Sequence, residues 1–207
     1  MFNLFHRAFI LVLMGLTLAV SSTALAGPGP ATQDPAKVPA GLYVLDKGHA
    51  SLVARIGHMG FSRYTMRFNK LDGQFTYDPS TVGSTRLSVT IDPASIDTGS
   101  DSFSKTLTGP SWLNTAAFPT ITFTATDVTP GPDGHGAVTG DLTFLGVTRP
   151  VVLDVMFNGY GPGFPFGAKA GFSATARIKR SEFGLKTYLP LVSDDVDLMI
   201  EVEFNRK

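Results

Sequence analysis

Alternation of apolar and polar residues, repeated in one segment after another, is the feature that most limits what this chain can fold into. Leu52, Ala54, Ile56 and His58 share one parity, against Ser51, Arg55 and Gly57. Leu87, Val89 and Ile91 alternate with Arg86, Ser88 and Thr90, and Ile121, Phe123 and Ala125 alternate with threonines. Val138, Gly140, Leu142 and Phe144 oppose Thr139, Asp141 and Thr143. The stretches Val151 to Phe157, Ala168 to Ile178 and Val196 to Phe204 repeat the pattern. Successive side chains of a strand point to opposite faces, so this period marks antiparallel strands with one face in a core and the other in water. No segment sustains a helical period, and the expected fold class is all-β.

Turn chemistry separates the strands at Asp78-Pro79, at Pro130-Gly131-Pro132-Asp133-Gly134 and at Leu145-Gly146-Val147-Thr148. Between Phe68 and Leu71 the apolar parity changes, which predicts a β-bulge inside the third strand. The stretch from Ser95 to Phe118 does not alternate. It predicts a long connection after the fourth strand with a short helix, capped by Ser100, carrying Phe103 and Leu107 four apart and stopped by Gly109-Pro110. Phe103, Leu107 and Trp112 then form a lid, or else simply close one end of the core. Roughly eight strands of this kind can close into an antiparallel barrel or stack as a sandwich.

The N-terminus says where the protein works. A short polar start with Arg7 leads into the apolar run Ala8 to Val20, and Ala24-Leu25-Ala26 supplies a small-residue cleavage pattern. That is a secretory signal peptide over residues 1–26, too short in its apolar part for the ~20 residues that span a bilayer. Export points to the periplasm. Residues 27–40, rich in Pro, Gly and Ala, read as a flexible linker, and 41–207 as one domain. Seventeen basic residues balance 17 acidic ones, which gives no footprint for nucleic acid. The absence of cysteine removes thiol catalysis and Cys-based metal sites.

Shared parity places Leu52, Ile56, His58, Phe68, Phe75, Phe123, Phe144, Phe157, Ala170, Phe172, Ala174 and Ile178 inside. Ala168, Ala170, Ala174 and Ala176 line up with Phe172 on one strand, but facing phenylalanines can fill the space they leave. Residue size therefore does not decide between a hollow and a solid interior. Of the histidines, His6 leaves with the signal peptide, His135 sits in the Pro/Gly loop, and His49 and His58 are ~30 Å apart if their strand is straight. His58 reads as a hydrogen-bonded core residue. No nucleophile elbow, phosphate loop or dinucleotide fingerprint is present, so no catalytic residue, metal ligand or cofactor is assigned.

Certain blocks resemble a known family. Tyr43-x-x-Asp46-x-x-His49, Ile56-Gly57-His58-Met59-Gly60, Ser95-Ile96-Asp97-Thr98 and Phe118-Pro119-Thr120-Ile121-Thr122-Phe123 are similar to the YceI-like, polyisoprenoid-binding periplasmic proteins. So are Val138 to Pro150 and Arg180-Ser181-Glu182-Phe183-Gly184-Leu185, in family order across nearly the whole domain. Leu145, Ala54 and Ala50 depart from the family's usual His, Phe and Ser, and Ser102 to Asn114 lacks its Arg-Asp…His-Leu pattern.

The resemblance implies an extended, eight-stranded, lipocalin-like barrel whose long tunnel holds a polyisoprenoid, or a quinone or acyl chain, without catalysis. It also implies contact with a membrane or a membrane cytochrome; a homodimer is left open. Arg63, Lys179 and Arg180 are the cations expected at a tunnel rim if the head group is a phosphate. Two other readings stand beside this one: an enzyme acting on a lipid through His49 or His58, and a solid-core β-protein with a partner-binding or stress role.

Overall fold

The computed structural model describes residues 31–163 and 167–207; the expected signal peptide and residues 27–30 lie outside the described residues. Ten strands follow in order: β1 Gly41–His58, β2 Ser62–Phe68, β3 Leu71–Tyr77, β4 Arg86–Ile91, β5 Ile96–Asp97, β6 Ile121–Pro130, β7 His135–Phe144, β8 Val147–Pro162, β9 Ala168–Lys179 and β10 Val192–Arg206. The helix α1, Asp101–Leu107, lies between β5 and β6. Ser100 occupies its N-cap position, as the sequence indicates.

Every pairing between these strands is antiparallel. The order β1-β3-β4-β6-β7-β8-β9-β10 returns to β1, closing an eight-stranded barrel, while β2 and β5 extend it beside the second half of β1. Closure gives the long strands β1 and β10 partners along their length and leaves the barrel wall no free edge there.

β1 is long enough to hold two partners on one side. Its first residues pair with β3, from Gly41↔Tyr77 to Val44↔Gln74, and its last with β2, from Leu52↔Phe68 to His58↔Ser62. Between them β1 bulges against β10: Leu45 faces Phe204 and Ala50 faces Val202, so five steps along β1 match two along β10. The inward parity of β1 therefore switches, from Tyr43 and Leu45 before the bulge to Leu52 and Ala54 after it.

The parity change expected as a bulge between Phe68 and Leu71 is instead a break between two strands. The hydroxyl of Ser95 accepts from the backbone N–H groups of Asn69 and Lys70 at 3.1 and 3.0 Å, taking both out of the ladder. His58 also departs from expectation. It ends β1 as an exposed residue, because the chain leaves the barrel there for the turn at Met59 and Gly60.

The two ends of the barrel are built differently. At the end where α1 lies, Ile96, Leu107, Leu113, Phe144 and Phe183 are all buried. Phe144 and Phe183 pack with ring centroids 5.6 Å apart. Behind them Arg180, only 2% exposed, holds the segment between β9 and β10. Its guanidinium donates to the carbonyls of Ser193, Leu185, Thr187 and Val192 at 2.8–3.1 Å. The rigid fork of five N–H donors fits this task.

At the other end the segment expected as a flexible linker is ordered from Ala31. Asp34 caps the turn Pro35–Lys37 by accepting from Ala36 N at 3.0 Å, Thr32 bridges to Tyr160, and Val38 is buried.

Arg180→Met takes this donor from four part-buried carbonyls, and Arg180→Lys cannot reach them all. Both variants should lose about 3 kcal/mol or more of stability, read as a lower urea midpoint at unchanged slope, with lysine recovering little of it.

Candidate functional site

The barrel is hollow over only part of its length. A cavity of about 300 Å³ runs inward from the end covered by residues 31–40. One wall is aromatic. Phe75 lies 4.9 Å from Phe204 and 5.8 Å from Phe172, Phe157 lies 5.5 Å from Phe172, and Tyr43 stacks on Phe75 at 4.8 Å. These edge-on and stacked pairs fix the rings relative to one another. The opposite wall is aliphatic: Leu87, Val89 and Ile91 of β4, Val138 and Leu142 of β7, and Val151, Leu153 and Val155 of β8. Gly140 has a local reason. A Cβ there would sit inside contact distance of the Phe123 ring and the Thr124 carbonyl, so glycine lets Phe123 lie flat against β7.

Polar groups gather at the mouth, where Tyr77, Thr85, Thr129 and His135 join backbone from Pro130 to Ala137. Tyr77 donates to Pro35 O at 3.2 Å and Tyr43 to Pro39 O at 2.7 Å, which ties residues 35–39 across this end. Burial pushes both phenols up, that of Tyr43 to about 12, so they remain donors at neutral pH. No lysine or arginine lines the cavity among the described residues.

The expected lining residues divide. Leu52, Phe75, Phe123, Phe157, Phe172 and Ala174 line the cavity. Phe68 and Phe144 are buried outside it, packed into the core, and Ala170 is wholly buried opposite Tyr160 and Phe204. Ile56 and Ile178 are half-buried and not in the lining, and Ile178 packs on the core.

The connection expected as a lid lies elsewhere. Leu107 is buried, and Phe103 and Trp112 pack on the core, but none of them meets the cavity, because their end is filled with side chains. Pro35 and Val38 meet it instead. The cue for these two was the Asp34-Pro35 cap followed by a lone valine, hidden in a segment whose composition reads as linker.

The expected head-group cations are also occupied. Arg63 pairs with Asp197 at 2.5 Å and Lys179 with Asp195 at 2.9 Å, both at the surface. Arg180 is not at a rim: it is buried and spends its donors on carbonyls.

The bulge in β1 makes a second, open groove of about 410 Å³ on the outside of the barrel, lined by His49, Arg67, Glu201 and Glu203; its floor, Phe172 and Val202, is shared with the cavity. Beside it Asp46, His49 and Glu203 place one donor atom each within 4.8 Å of the others. The Lys169 ammonium sits among them, 2.5 Å from Asp46 and 2.7 Å from Glu203. A metal ion there would have to displace it. The cluster is a clamp of one ammonium and two carboxylates between β1, β9 and β10.

A closed antiparallel barrel around a largely carbon-lined cavity, with its polar groups at one mouth, has the form of a binding protein. The comparisons then fix its kin. The profile of the YceI-like domain matches residues 43–204, and the chain belongs to that family. It is 40% identical to Protein YceI of Escherichia coli O17:K52:H18 (strain UMN026 / ExPEC) over 163 residues, 78% of this chain and 85% of that one. Its barrel is similar to Burkholderia cenocepacia BcnA, with TM-score 0.69 and 25% identity over 77% of this chain and 98% of that one. A polyisoprenoid binding domain from Saccharophagus degradans, implicated in plant cell wall breakdown, shares the fold at TM-score 0.59 and 18% identity, covering 80% and 98%.

The clamp makes stability depend on pH. The hydrogen bond from Lys169 holds the Asp46 carboxyl down at about 2, against an ordinary value of 3.8. A carboxyl lowered in the folded state adds stability above its unfolded value and loses it as pH falls through the folded one. The contribution, at most about 2 kcal/mol, should be intact at pH 5 and fade from about pH 4 to pH 2. Lys169→Met should lower the urea midpoint at pH 6 and flatten its fall between pH 4 and 2.

Proposed function

We propose that this protein is an exported, periplasmic carrier or store for a lipid with an isoprenoid or similar apolar tail, which it binds without transforming. The observation that carries the reading is the cavity, whose walls are carbon and whose polar groups are confined to one mouth. A tail moved from water into such a site gains about 25 cal/mol for each Å² of apolar surface removed. Membership of the YceI-like family and the polyisoprenoid binding of the Saccharophagus degradans neighbour support a prenyl tail as the ligand. The signal-peptide pattern at residues 1–26 supports export.

In this reading the aromatic wall orients the tail, and the ordered segment Ala31–Ala40 is the cover it must pass. Contact with a membrane is the step at which the lipid enters and leaves. The two titratable side chains of the lining among the described residues, Tyr77 and His135, lie at the mouth.

Native mass spectrometry of protein purified from its host should show a co-purifying apolar ligand, lost on organic extraction. Ala174→Trp, which fills the cavity from β9, should cut ligand occupancy at least tenfold while leaving the far-ultraviolet circular dichroism unchanged. Full occupancy in that variant would place the ligand elsewhere.

A further inference from the structure

We propose that residues 31–40 are a strap that gates the cavity, lifting from a seat on β8 to admit a tail and closing on it afterwards. The gate rests on the lipid-binding reading above and adds to it the element that sets the rates of uptake and release. The match to the family begins at residue 43, so the strap precedes the shared domain.

The strap crosses the mouth. Thr32 pairs with Tyr160 of β8 through two backbone hydrogen bonds, Thr32 N to Tyr160 O at 2.7 Å and Tyr160 N to Thr32 O at 2.8 Å. Three residues later Pro35 O accepts from Tyr77, the last residue of β3. In the closed ring of eight strands β8 and β3 stand four places apart, on opposite sides. Pro35 and Val38 reach the cavity from above, and Val38 is only 5% exposed. A tail that enters at this mouth has to displace them.

The seat is specific, and the rest of the hold is light. Two glycines of β8 flank Tyr160. A Cβ at Gly161 would lie 3.0 Å from Ala31 Cα, and one at Gly159 would lie 3.0 Å from Ala31 Cβ. Both distances are tighter than ordinary contact, so the missing side chains are what lets the strap lie against the strand. Beyond the seat, Tyr77 holds Pro35, Tyr43 holds Pro39 and Arg206 holds Ala40, each by one hydrogen bond to a carbonyl. Val38 is the one buried side chain of the segment. A segment with so few buried contacts opens at far smaller cost than the barrel wall. Gly41, at φ 153°, joins it to β1 and serves as the hinge.

Locking and unseating the strap test this from both sides. The chain has no cysteine, so reductant acts only on an engineered pair. Thr32→Cys with Tyr160→Cys locks the seat when oxidised and frees it when reduced; Gly161→Val pushes the strap off. Each protein, delipidated, is mixed with phosphatidylcholine vesicles carrying deuterated farnesol. Vesicles are removed by flotation at intervals, and bound farnesol is quantified by mass spectrometry. Uptake by the oxidised double variant should be at least tenfold slower than by the same protein reduced. Gly161→Val should take up and release farnesol at least threefold faster than the unaltered protein. Trypsin cleavage after Lys37, exposed in the strap, reports the strap directly and should follow the same order. Equal uptake in the two redox states, with Lys37 protected only in the oxidised one, would overturn the gate while leaving lipid binding intact. Unaltered rates in Gly161→Val, with Lys37 cleaved faster, would do the same. No farnesol on the unaltered protein at any time would overturn the lipid-binding reading itself, and the gate with it.

Discussion

The seam between β1 and β10 is the constraint on which the rest of the molecule depends. Eight strands form a container only if the last pairs with the first, and here that pairing runs from Tyr43↔Arg206 to His58↔Val192. The seam is not uniform: β1 spends extra residues in the bulge before its register resumes. The Lys169–Asp46–Glu203 clamp stands beside that irregularity and ties three strands with two ion pairs. Where backbone pairing is interrupted, partly buried side-chain charges hold the seam instead. An exposed pair would contribute little, but Lys169 and Asp46 are only about one-fifth exposed, at 20% and 22%, and are less screened.

The same bulge organises the interior. By switching parity it presents Tyr43 and Leu45 inward on one side and Leu52 and Ala54 on the other, so one strand serves two different neighbourhoods. Tyr43, stacked on Phe75, belongs to the hollow half; Ala54, which lines no cavity, belongs to the filled half. The choice between a hollow and a solid barrel is thus answered by position along the axis. The aromatic cluster supports the hollow half because its rings brace one another and cannot all collapse into the space they enclose. Leu107, Leu113 and Phe183 give the other half the stability of an ordinary core.

How much of this was legible depended on whether the signal was local. Period-2 alternation identified the inward residues of β4, β6, β7, β8, β9 and β10, because one-sided burial writes itself directly into sequence. Alternation carries no information about level, so it could not separate Phe123, in the cavity, from Phe144, in the core beyond it. Nor could it separate Ala174, which lines the cavity, from Ala170, which is sealed under Phe204. The break at Asn69-Lys70 escaped as well, since its cause, the hydroxyl of Ser95, lies 25 residues or more further along the chain. Residues 31–40 were the least legible: Pro, Gly and Ala report a chain that cannot make regular structure, and are silent on whether tertiary contacts will fix it.

The treatment of charge follows from these levels. A sequence can show that Arg63, Lys179 and Arg180 stand near strand ends, but not which end of the barrel each end belongs to. All three lie toward the end where α1 sits: Arg63 near the start of β2, Lys179 at the end of β9 and Arg180 just after it. The mouth, at the far ends of β3, β6 and β8, offers phenol, threonine hydroxyl, imidazole and backbone amide groups instead. A phosphate brought there would meet no lysine or arginine in the lining among the described residues, whereas a hydroxyl or carbonyl could be satisfied by the same groups at small desolvation cost. In the proposed function, a cavity walled by carbon with its hydrogen-bonding groups at the mouth recognises its ligand more by the tail than by the charge of the head.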